Sequence, residues 1–122
     1  MNKHLNALGK GDFDYDYKND TLFFKIKDRE YEKSIEFDDF VVDVDKEGFI
    51  TGIQIFGASK MFNVAKIELR NVRHFGFETK AESNVITIKL QFQLIRRVMQ
   101  TNLVRESTDS LADSVVKCTV PA

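Results

Sequence analysis

At 122 residues, with 43% hydrophobic and 30% charged residues and a formal net charge of −1, the chain has the make-up of one folded globular domain, neither disordered nor membrane-like. A sequence pI near 6.1 speaks against general nucleic-acid binding, and no run approaches the ~20 apolar residues that a membrane-crossing helix needs. The single cysteine, Cys118, and an opening Met1 to Leu8 without the apolar stretch of a secretory signal lead to the expectation of a cytoplasmic protein.

In chain order, residues 1–11 hold two glycines and little periodicity. They read as a flexible N-terminal arm, open to ordering by docking, which leaves 12–122 as a single β-rich domain. Phe13-Asp14-Tyr15-Asp16-Tyr17 alternates aromatic and acidic residues, the period of a strand with one buried face. Asn19-Asp20 supplies a turn. Leu22, Phe24 and Ile26 then face one way and Phe23, Lys25 and Lys27 the other. After an interruption at Asp28-Arg29-Glu30, Tyr31, Lys33, Ile35 and Phe37 resume the alternation and complete a hairpin.

Phe40 to Val44 and Phe49 to Phe56 form a second hairpin around an acidic loop. Between residues 58 and 71 the spacing changes: Met61, Phe62, Ala65 and Leu69 fall at helical intervals, which predicts one short helix. Beyond it Phe75, Phe77 and Thr79 alternate with His74, Gly76 and Glu78, and Glu82-Ser83-Asn84 turns the chain. Ile86, Ile88, Leu90, Phe92 and Leu94 mark the clearest strand, whose apolar face demands a covering layer. Arg96-Arg97 turns it, Met99 to Arg105 returns, Ser107 to Asp113 is a polar loop and Val115 to Val120 closes the sheet. The predicted fold is mainly β, or α+β once the helix is counted: an antiparallel meander of hairpins.

Several of these pieces together resemble a known family. Asp14-Tyr15-Asp16, Asp20-Thr21-Leu22-Phe23-Phe24-Lys25-Ile26, Ile35-Glu36-Phe37-Asp38-Asp39, Val42-Asp43-Val44-Asp45-Lys46-Glu47-Gly48, Gly52-Ile53-Gln54-Ile55 and Ala58-Ser59 are similar, in order and spacing, to the domain-of-unknown-function family numbered 2283. The resemblance covers roughly residues 13–62 and leaves 63–122 as a strand-rich extension. It implies a compact β-hairpin module with an Asp-x-Asp-x-x-Gly turn and no established activity. It also implies a second alternative for function, an antitoxin-like partner of a small toxin protein.

As chemistry, the acidic loop matches part of a calcium loop: Asp43, Asp45, Glu47, Gly48 and Ile50 occupy positions 1, 3, 5, 6 and 8 of that pattern. Asp43, Asp45 and Glu47 are therefore the candidate metal ligands. Against this, Gln54 stands where a bidentate glutamate belongs and the flanks alternate as strands, so a hairpin turn with Gly48 at positive φ explains the same residues. His4 and His74 have no neighbouring Cys or His in sequence, and Cys118 alternates with Val116 and Val120 as a core residue does. Ser59 and Ser83 lack a nucleophile-elbow context. Asp14/Asp16 and Asp38-Asp39 are the carboxylates from which a hydrolase would have to be built, and Tyr15, Tyr17, Phe23 and Phe75 are the aromatics from which a base-stacking platform would. No Gly-rich phosphate loop is present, and neither catalytic residues nor a cofactor are expected.

Charge is uneven: residues 1–60 hold 9 Lys/Arg against 13 Asp/Glu, and residues 61–122 hold 9 against 6. Complementary halves of this kind attract within a monomer or between subunits. Pro121 is the only proline, so no predicted strand edge is blocked by one. The expectation is a non-catalytic interaction module that self-associates or binds a protein partner through a sheet edge or an apolar face. The alternative is divalent-cation binding by the Asp43–Gly48 loop.

Overall fold

Phe, Ile and Val recurring at every second position commit most of this chain to extended backbone, because only a strand gathers that spacing on one face. The computed structural model describes residues 5–26, 30–72, 74–107 and 113–120. They form β1 (Leu5–Asp16), β2 (Thr21–Ile26), β3 (Lys33–Glu36), β4 (Phe40–Val44), β5 (Ile50–Phe56), α1 (Ala58–Phe62), α2 (Lys66–Leu69), β6 (His74–Glu82), β7 (Val85–Gln93), β8 (Val98–Glu106) and β9 (Ser114–Val120). Neither helix is long and apolar enough to cross a membrane.

The strands run in the order β3-β4-β5-β2-β1-β9-β6-β7-β8. β1 belongs to both halves of that order. Its Gly11–Asp16 stretch pairs antiparallel with β2, and its Leu5–Lys10 stretch pairs parallel with β9. The other pairings are antiparallel. The mainly β architecture expected from the periodicity is present, but β3 completes its hairpin with β4 rather than with β2, which lies between β1 and β5, and the β1–β9 pair is parallel. Backbone from Leu5 onward is thus held by β9 within the stretch that the sequence assigns to an arm, while residues 1–4 lie outside the described residues.

The two sheets meet through phenylalanines. Phe24 of β2 lies 4.4 Å from Phe75 and 4.6 Å from Phe77 of β6, ring centre to ring centre. Leu22, Phe24, Phe40, Ile53, Ile86, Leu90 and Phe92 are buried in one continuous core drawn from both sheets. The strict alternation of Ile86, Ile88, Leu90, Phe92 and Leu94 is read out as five buried side chains on one face. On the side away from β1, Arg105 of β8 reaches Asp39, in the β3–β4 turn, at 3.1 Å, and its guanidinium lies over the Phe40 ring.

Local chemistry sets the turns. Ser83 and Asn84 both take positive φ, 50° and 64°, the conformation a two-residue hairpin needs to match strand twist. Gly52 faces backbone so closely that a Cβ would sit 2.9 Å from the Phe24 carbonyl oxygen. The one helix expected between residues 58 and 71 is instead two. Asn63 adopts φ 54° and ends α1, since a short amide side chain tolerates the left-handed conformation. Phe62 and Leu69 are buried, but Ala65, lying between the helices, is exposed. The interruption at Asp28-Arg29 and most of the Ser107–Asp113 loop fall outside the described residues, as do His4 and the side chain of Cys118.

Candidate functional site

The acidic loop joins β4 to β5. Asp45 turns inward, and its Oδ1 accepts the backbone N–H of Glu47 at 2.9 Å and of Phe49 at 3.0 Å. Gly48 takes φ 93°, and its N–H donates to the Asp45 carbonyl at 3.1 Å. Asp43 lies on β4 and accepts the Ser34 hydroxyl from β3 at 2.7 Å, whereas Glu47 is exposed. The structure gives Asp43 and Asp45 different partners and leaves the Glu47 side chain exposed. Among the described residues, no group of three His, Cys, Asp or Glu side chains is arranged to hold a metal.

A second acidic turn, the Asn19-Asp20 turn between β1 and β2, has a wider reach. The Ala58 N–H donates to the Asp20 carbonyl at 3.0 Å, the Ser59 N–H to Asp20 Oδ1 at 3.0 Å and the Ser59 hydroxyl to Oδ2 at 2.7 Å. The Tyr15 hydroxyl donates to the same carboxylate. Asp20 therefore caps α1 from a distant turn, because the helix's own N-cap, Gly57, has no side chain to do so. Burial would raise the Asp20 pKa, but the donors from Tyr15 and Ser59 outweigh it and hold the carboxyl below its ordinary value. Burial, followed by the Asp20 carboxylate, pushes the Tyr15 hydroxyl far above its ordinary range. Near neutral pH this leaves Asp20 a weak base and Tyr15 a weak acid, so the cluster is suited to holding strands and helix together rather than to moving protons.

The other candidates are dispersed. Asp14 and Asp16 sit on β1 and Asp38-Asp39 sit before β4, with β2 and β5 between those strands. Asp16 accepts from the Asn19 side chain at 2.8 Å, and Asp39 pairs with Arg105. Phe75 is buried against Phe24 and Tyr15 is tied to Asp20; Tyr17 is exposed, with Lys66 Nζ 4.7 Å and Arg70 Cζ 4.9 Å from its ring centre. Tyr15 and Tyr17 meet edge to face with ring centres 6.4 Å apart, while Phe75 belongs to the core and Phe23 is half-buried on β2. His74 is exposed at the start of β6, and the Ser83 N–H donates to Asp113 at 3.0 Å.

The feature that the sequence pattern does not single out is β8. The strand order ends on it, so one side of its nine-residue backbone has no strand neighbour among the described residues. Val98 and Val104 are 60% and 54% exposed, while Leu103 points into the core at 7%. From Val98 to Val104 the strand carries no charge, no proline and no glycine.

Fold and site together define a small two-sheet β protein with a carboxylate-capped helix and, among the described residues, a long edge at β8 that is uncharged from Val98 to Val104. The chain belongs to the family of proteins of unknown function designated DUF2283, whose model matches residues 12–59. It is 36% identical over 95 residues to an uncharacterized protein of Methanocaldococcus jannaschii, covering 77% of this chain and 80% of that one. It is 31% identical over 99 residues to a putative hypoxanthine phosphoribosyltransferase of Methanosarcina mazei, covering 81% and 78%. Alignments of this length run past the family match into the strands that follow α2. No solved structure matches the chain.

Proposed function

We propose that this chain is a non-catalytic interaction module that receives a protein strand along the open side of β8. The observation that carries the reading is the uncharged, proline-free stretch Val98–Val104 on a strand that ends the sheet order. An edge of this kind offers a row of backbone donors and acceptors to another strand, and Val98 and Val104 offer apolar area beside them.

The name of the Methanosarcina relative would bring a purine phosphoribosyl transfer instead. Such chemistry seats phosphate on the free amides at a helix N-terminus. Here the first amides of α1, those of Ala58 and Ser59, already donate to Asp20. The amides that open α1 are thus already taken by the Asn19-Asp20 turn, which favours the interaction reading.

A photoreactive residue in place of Gln100, whose side chain is exposed on β8, tests this in cells, with the same residue in place of Glu36 on β3 as the comparison. Covalent protein adducts from position 100 and none from position 36 are the expected result. Equal yields from both positions, or none from either, would overturn the reading.

A further inference from the structure

We infer that the strand received by β8 is β8 of a second copy of this chain, running antiparallel about a two-fold axis through Thr101. This rests on the edge reading above and names its partner. Val98, Gln100, Asn102, Val104 and Glu106 are exposed along β8, and Arg96 is exposed in the turn just before it. In order they read cation, valine, carboxamide, carboxamide, valine, anion. From the other end the order is the same with the charges exchanged, which is what a self-complementary two-fold contact requires.

About Thr101, Val98 falls opposite Val104 of the second copy and Gln100 opposite Asn102, while Arg96, in the Ile95-Arg96 turn closed by the Leu94–Arg97 backbone bond, comes to the end of the junction where Glu106 of the second copy lies. On the inner face Met99 falls opposite Leu103, extending apolar contact across the junction. Arg97 falls opposite Arg105, but each already has a carboxylate of its own: Glu68 at 3.3 Å and Asp39 at 3.1 Å. Sliding either strand by two residues breaks both valine pairs and both charge pairs, so the side chains select one register.

Sedimentation equilibrium of the full chain over a concentration series tests the assignment, using the wild type, R96E, E106R, the double variant R96E/E106R and an equimolar mixture of the two single variants. The expected result is a wild-type dimer weakened about tenfold to a hundredfold by either single change, since each sets two like-charge pairs across the axis. The double variant restores dimerisation, and so does the mixture, where opposite charges again face each other. Circular dichroism checks that each variant is folded; if one is not, Val98→Lys replaces it with the same expected loss. A dimer indifferent to these changes overturns the inference. A wild-type chain that stays monomeric throughout also overturns it, yet leaves the edge reading to the Gln100 cross-link, whose adduct would then contain a different protein.

Discussion

The strand order ends at β3 on one side and at β8 on the other, and the two edges are built differently. β3 is four residues long and exposes Lys33 and Glu36. Its Ser34 is tied back to Asp43, and the Glu32 N–H ahead of it donates to the Val44 carbonyl at 2.8 Å. Shortness and charge are the usual devices that stop an edge from pairing. β8 is nine residues long and confines its charge to one end, at Arg105 and Glu106. Under the proposed function one edge refuses a strand and the other accepts one, and the apolar core between them is common to both.

That common core gives the largest expected effect. Phe24→Ala removes the ring that bridges the sheets and should cost about 3–5 kcal/mol of stability in denaturant titration, loosening both edges together. Next, V98K/V104K should weaken assembly about tenfold to a hundredfold by sedimentation while leaving the fold intact. Glu36→Lys on β3 should leave assembly unchanged, and a matching loss there would erase the contrast between the edges. Asp20→Ala should cost about 1–3 kcal/mol, because it strands the Ser59 amide, the Ser59 hydroxyl and the Tyr15 hydroxyl at once.

The same carboxylate sets a pH dependence. Its pKa in the folded state is lowered, so the stability it contributes is present above the ordinary carboxylate range and is lost as pH falls through the lowered value. Urea midpoints measured on acidification should drop more in the wild type than in Asp20→Ala. The smallest effect belongs to Arg105→Ala. Its pair with Asp39 is more than a third exposed on both sides, so about 0.2–1 kcal/mol is expected from denaturation.

Alternation makes the strands legible in the sequence, and most plainly β7, because side-chain period is a local property. The Asp45 turn is legible for the same reason: its partners Glu47 and Phe49 lie within four residues. Asp20 reads as an ordinary turn residue, since its principal partner, Ser59, is 39 residues away. The break at Asn63 leaves no trace in the spacing, because Phe62 and Leu69 keep helical intervals whether one helix or two carries them. The pairing of β1 with β9 joins the two ends of the chain, and no local pattern encodes it. The β8 edge is hidden in the same way: a returning strand from Met99 to Arg105 is readable, but that it ends the order of the described strands depends on where the other strands pair.

If β8, and not β3, is the surface that takes a strand, the backbone amides of the two edges must respond differently to crowding by copies of the chain. Residue-resolved amide hydrogen exchange on the wild type, compared between dilute and concentrated protein, reads this at both edges in one experiment. Amides within Val98–Glu106 should slow down as concentration rises, while those of Lys33–Glu36 exchange at an unchanged rate. Slowing confined to Lys33–Glu36, or to the outer faces of the sheets with β8 unaffected, would refute the assignment of the edges.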